Sequence, residues 1–227
     1  MPNSSFNSSV KFGSIAEATE AVRESATRVA SIAAYIRASR ERNELNLALH
    51  NLTDRTSREL LRLAKNHDQG LDLLAWCTRN VFELNLLVRF VLLNEENAGR
   101  FLAEAAMDEQ QILEGFLSIS NSTSKEEYGI IERRIAEIDE LAAIRGIKLL
   151  KPIQTSKLAE IVGCADEYVG MFKFMSKYVL PSSWLVNKPV IQTDNYFYWD
   201  ILVVHAQLYA MDSYERTRKA LKIPESV

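Results

Sequence analysis

Within Leu71 to Leu93, LDLLAWCTRNVFELNLLVRFVLL, two opposite charges, Arg79 and Glu83, stand four residues apart. That spacing puts both on one face of a helix, but with arginine ahead of glutamate, the poorer order for a simple surface pair. In so apolar a segment both charges must meet partners or lose several kcal/mol of hydration. They form either a buried ion pair that sets helix register or, with Asn80, the lining of a polar pocket completed by another helix. Arg62 and His67, five apart in RLAKNH, are a second pair of chemically capable groups. His205, in VVHAQLY, sits on a mostly apolar helix, where a satisfied core histidine is the ordinary role.

Several chemistries are absent by inspection. The chain has no GK[ST] phosphate loop, no GxGxxG, no HExxH and no CxxC, and none of its three histidines has a glutamate three residues before it. Nucleotide-loop, zincin and ferritin-like sites are therefore not indicated, and no metal or cofactor is expected. Cys77 and Cys164 lie far apart in apolar surroundings, which suits two reduced thiols in the cytoplasm better than a disulfide.

The elements that must position these groups are helical. With 227 residues, 47% apolar, and only 8 Gly and 5 Pro, the composition predicts an all-α bundle of about six to eight helices around one core. Residues 1–13 are expected as a polar tail, 14–222 as one helical domain and 223–227 as a C-terminal tail. Ile15, Ala18, Val22, Ala26, Val29, Ala33 and Ile36 predict a first helix continuing to about His50. The capping-box pattern Thr56–Glu59 predicts a short second helix ending near Asp68 to Gly70.

Leu71–Leu93 is then the central helix. Asn94 caps a fourth to about Leu117, and Ser124 with Glu127 opens a fifth that ends at Gly146. Two shorter helices cover Lys157–Gly163 and Glu167–Val179. Asp194 caps a last helix to about Leu221 that buries Phe197, Ile201, Val204, Leu208 and Met211.

The net charge of −3 and isoelectric point near 5.8 give no footprint for wrapping nucleic acid. Arg79, Glu83 and Arg89 argue against a membrane span in the central helix, because a central arginine costs about 2.5 to 3.5 kcal/mol on insertion. The expected partner is a second copy or another protein.

Two resemblances add to this reading. RLAKNH is similar to the R-x(4–6)-H motif of HEPN ribonucleases, helical nucleases and toxins, with Leu63 where they carry a polar residue. It implies RNA cleavage by Arg62 and His67, in a setting such as phage defence. More extensively, WCTRNVFELNLLVRFVLLNEENAGRFL and KLAEIVGCADEYVGMFKFMSKYVLPSS resemble the bacterial domain-of-unknown-function family 5677 over roughly residues 60–190. The resemblance implies a helical protein with an R-x-x-x-E helix and, further on, a Y-[KR]-x-x-S-x-x-V-H-P-x-P helix. Arg79 and Glu83 match the first motif, and Lys173, Ser176, Val179 and Pro181 the second.

Phe172 replaces the motif tyrosine and Leu180 its histidine, the natural group for proton transfer or phosphate contact. Ser176 is expected to bridge the two halves in a polar cluster of Arg79, Asn80, Glu83, Lys173 and Ser176. With the histidine lost, a non-catalytic interaction or regulatory protein is the leading expectation, and a HEPN-like ribonuclease or toxin the alternative.

Overall fold

The computed structural model describes residues 10, 13–68, 70–119, 125–144, 146–187 and 196–227. Helix α1, Ile15–Ser39, opens on a capping box in which Ser14 accepts from the Glu17 N–H and the Glu17 carboxylate accepts from the Ser14 N–H at 2.9 Å. Its small apolar row is buried, which lets a neighbouring backbone approach closely. Ser57 of the next helix accordingly donates to the Ala26 carbonyl at 3.0 Å.

That helix, α2, runs from Glu44 to Lys65, so the expected boundary is corrected twice. The first helix does not reach His50: Arg40 is extended, and the Asn43 side chain restarts the chain by accepting from the Asn46 N–H at 2.8 Å. No helix begins at Thr56 either. Its hydroxyl donates one turn back to the Leu52 carbonyl at 2.8 Å, and Glu59, expected as a cap partner, points into the interior.

Helix α3, Leu71–Val91, is central, packing against α2 and against the later helices described below. Among the described residues no helix is long and apolar enough to cross a membrane. Helix α4, Glu95–Ser118, is capped by Asn94, which accepts from the Asn97 N–H at 2.9 Å, and α5 spans Lys125–Ile144. The two run antiparallel as an arm, joined by Arg134 to Glu109 at 2.8 Å and by the Tyr128 hydroxyl to the Leu117 carbonyl at 2.8 Å. Gly146, φ +63°, closes α5 in the left-handed conformation that favours glycine. Ser124 and Asp194, expected as caps, lie outside the described residues.

Helix α6, Thr155–Ile161, precedes an unbroken helical run formed by α7, Ala165–Glu167, a π-helical turn, Tyr168–Phe172, and α8, Lys173–Val179. Leu180 turns extended, as the residue before Pro181 must, and ends α8. A single turn, α9, Ser183–Val186, and the long α10, Tyr196–Ala220, complete the bundle. α10 presents Trp199, Leu202, Val203, Ala206, Tyr209 and Ala210 to the core, while Phe197 is exposed. Of the expected row Met211 is buried and Ile201, Val204 and Leu208 are half-buried, so the inner face lies rotated from that row; apolar residues occur on several sides of this helix, and periodicity does not single out its inner face.

Buried side chains of α1, α2, α3, α6, α8 and α10, with Ala98 of α4, form one contiguous core. The protein is an all-α multi-helix bundle. Residues 223–227 pack on it: Ile223 is buried, and the Val227 carbonyl accepts from Ser31 at 2.6 Å.

Candidate functional site

The motif halves meet on the α3 face that turns toward the π-helical segment. Arg79 Nε donates to the Glu83 carboxylate at 2.9 Å, and the Arg79 guanidinium lies 4.3 Å from the centre of the Phe172 ring. Phe172 stacks in turn on Tyr168, with ring centres 4.5 Å apart. The π-helical turn supports this stack by adding a residue to the helical repeat, which redirects the side chains around Tyr168–Phe172. Phe172 is thus the contact that joins the two stretches.

Ser176 is not the bridge. Its hydroxyl donates to the Phe172 carbonyl in its own helix at 2.7 Å, the usual way a mid-helix serine satisfies itself. Lys173 is exposed, and so is Leu180. Asn80 turns to α2, donating to Glu59 at 3.2 Å. The expected five-residue cluster therefore resolves into the pair Arg79–Glu83 on Phe172, with Asn80, Lys173 and Ser176 in separate surroundings.

Glu59 organises a second cluster. Its buried carboxylate is met by Arg55 at 2.6 Å, by Arg62 at 3.3 Å and by Asn80. Arg62 also lies over the Trp76 ring at 5.0 Å. Its partner in the expected pair, His67, instead places Nδ1 against the Ala64 carbonyl at 3.2 Å, past the end of α2. Trp199 donates to the His67 backbone at 3.2 Å, tying that end to α10. Arg62 and His67 are thus engaged by different neighbours.

Beside Glu59, Cys77 is fully buried, and desolvation, with the Glu59 charge next, pushes its thiol up to about 12. An unfolded thiol ionises near ~8.5. The stabilisation from keeping this thiol protonated is complete below that pH and is lost as pH rises toward 12, because the unfolded chain releases a proton that the folded chain retains. The urea midpoint is expected to fall between about pH 9 and about pH 11, and Cys77→Ala to make that fall shallower. Equal slopes in the two proteins would remove Cys77 as its cause. Burial raises the Cys164 thiol and the Tyr209 hydroxyl as well, so part of the slope should survive the substitution.

A third network, missed from the sequence, holds α3 to α10. Buried Asn85 donates to the Tyr209 carbonyl at 3.1 Å, to Asp212 at 2.8 Å and to Ser213 at 3.0 Å, and Arg89 reaches Asp212 at 2.9 Å. Its signal was Asn85 between Leu84 and Leu86, an amide with no surface to face. His205 places Nδ1 against the Ile201 carbonyl at 2.7 Å, the satisfied role expected.

Glu83 also borders a cleft of about 400 Å³ between α2, α3, α4 and the Pro152–Leu158 segment. Glu104 and Asp108 share its wall with Leu87, Phe101 and Ile153. Burial raises the Glu104 carboxyl above the usual range, although Arg100 at 3.3 Å and the Ile153 N–H pull the other way. A larger groove, about 640 Å³, lies at the α1–α2 elbow beside Arg37, Arg40, Arg42 and His50, a different stretch of chain from the motif residues. Among the described residues no three His, Cys, Asp or Glu side chains converge as metal ligands would.

Arg79→Ala is expected to lower stability by about 1 to 2 kcal/mol, since it removes a partly desolvated cation–π contact and the aliphatic packing of the side chain. Arg79→Lys, unable to stack its charge in the same way, should recover less than half of that loss. Chemical denaturation of the three proteins checks both, and a lysine variant equal to wild type would leave only the charge as important.

These features describe an all-α bundle in which Arg79 and Glu83 of the central helix seat on Phe172 of the π-helical turn. The chain belongs to the family of unknown function DUF5677, whose model matches residues 47–197. No curated protein and no solved structure matches it. The matched segment begins in α2 and ends at the start of α10, and contains both motif halves and the whole arm.

Proposed function

We propose that this is a non-catalytic interaction protein that presents the α4–α5 arm to a protein partner. The observation that carries the reading is the apolar surface of the arm: Ile112, Phe116 and Ile119 on one helix and its end, and Ile130, Leu141 and Ile144 on the other, are all 47–73% exposed. This concentration of exposed large apolar side chains on one two-helix arm is a feature an interaction site would use. The polar clusters support the same reading, because Arg79, Arg62 and Glu59 are committed to structural partners. Arg62 is held by Glu59 and His67 by the Ala64 carbonyl, so neither contact favours the ribonuclease alternative. Two buried free thiols favour a reducing, cytoplasmic setting.

A photo-crosslinking residue at position 116, expressed in the native host, is expected to form a discrete adduct with a protein, and the same residue at position 28 on α1 is not. Loss of the adduct on Ile144→Glu would tie it to the arm. Absence of any adduct at position 116, or equal adducts at both positions, would overturn the reading.

A further inference from the structure

We infer that the groove at the α1–α2 elbow binds a nucleoside phosphate, with Arg37, Arg40 and Arg42 taking its phosphates. The site is separate from the arm and from Arg79 and Glu83, so it does not depend on the interaction reading.

Uncommitted positive charge marks the groove. Most arginines among the described residues are engaged by a carboxylate of the fold, as Arg55 and Arg62 are by Glu59 and Arg89 is by Asp212. Arg37, in the last turn of α1, and Arg40 and Arg42, between α1 and α2, make no ion pair among the described residues, and all three line this groove. Arg40 is held in place, because its guanidinium donates to the Leu221 carbonyl and lies 5.6 Å from the centre of the Tyr35 ring. Its shielded Nε has no acceptor. Glu41 and Glu44 also line the groove, but neither pairs with the three guanidiniums, and the Glu44 carboxylate lies against Gly99 of α4. In a chain of net charge −3, three unpaired guanidiniums in one groove run against the sign of the whole molecule. They suit a multiply charged oxyanion, since the planar fork meets phosphate oxygens two at a time.

The rest of the lining selects the kind of phosphate. The groove holds about 640 Å³, within the ~300–1,000 Å³ usual for a small-molecule site and far more than a free phosphate fills. Leu47, 50% exposed near the start of α2, gives it an apolar wall together with Ile36, a seat for a flat ring. Asn51, one turn further along α2, makes no hydrogen bond within the described protein, so its amide offers both a donor and an acceptor to the edge of a heterocycle. Phosphate is met here by side chains, and a GK[ST] loop is not required.

Calorimetric titration of the full-length protein with ADP, GDP, CDP and UDP is expected to show at least one binding with a dissociation constant below ~100 μM. The corresponding nucleoside and inorganic phosphate should each bind at least about tenfold more weakly. Arg37→Glu combined with Arg42→Glu, both exposed positions, should weaken the nucleotide by about tenfold or more with unchanged helical circular dichroism. Independently, the nucleotide should slow alkylation of a thiol introduced by Leu47→Cys, while Cys77 and Cys164 are buried and silent. Failure of all four nucleotides to bind at ~1 mM would overturn the inference. So would an affinity unchanged by the charge reversals, or inorganic phosphate binding as tightly as the best nucleotide. A single-stranded RNA that binds more tightly than any free nucleotide would assign the groove to nucleic acid and overturn it as well.

Discussion

Glu59→Ala is expected to lower the free energy of unfolding by about 3 kcal/mol, at the lower end of the loss seen when one member of a buried ion pair is removed. The carboxylate is almost wholly shielded while Arg55 and Arg62 are roughly half exposed, so the freed guanidiniums can turn to water. What remains is the cavity between α2 and α3 and an Asn80 amide without its acceptor. Glu59→Gln keeps the volume and an oxygen for Asn80, and should lose about 1 to 2 kcal/mol. Urea titrations of the three proteins by circular dichroism measure both. An alanine variant within ~0.5 kcal/mol of wild type would mean that the cluster contributes no more than a surface pair.

Phe82→Ala should be at least as damaging, by about 3 to 5 kcal/mol, because it opens a cavity at the centre of the bundle. Phe82 is fully buried, and its ring centre lies 5.0 Å from that of Tyr209 on α10 and 6.4 Å from that of Phe172. It therefore supports the aromatic that carries Arg79. Loss of stability should be accompanied by a weakened near-ultraviolet aromatic signal and by a smaller effect of Arg79→Ala in the Phe82→Ala background, since neighbours that share a contact are not additive. Strict additivity of the two substitutions would show that Phe82 does not position the motif. Phe82→Leu, which keeps most of the volume, should recover the greater part of the loss.

How far the sequence reaches is visible in particular residues. Helix α3 was legible because it is apolar on nearly all sides, and α4 because Asn94 followed by two glutamates is a local cap with a local acidic turn. Gly146 and Leu180–Pro181 were legible for the same reason, since backbone stereochemistry acts between chain neighbours. The TSRE stretch shows the limit. A threonine three residues before a glutamate reads identically at a helix start and in mid-helix, and Asn43, thirteen residues earlier, had already nucleated the turn. The rotated face of α10 shows a second limit, because apolar residues on several sides of a helix leave its phase poorly defined.

By itself the sequence determined the class of fold, most helix ends, the two motif halves and the need of Arg79 and Glu83 for partners, all properties of composition or of residues within a few positions of one another. Only the tertiary structure decided what those partners are. It set Phe172 rather than Ser176 against Arg79, gathered Glu59, Arg62 and Asn80 across two helices, gave Arg62 and His67 different hydrogen-bond partners, and left several large apolar side chains of α4 and α5 exposed. Each of these depends on how helices distant in sequence pack their side chains in space, and no spacing along the chain encodes which of several apolar faces another helix will cover.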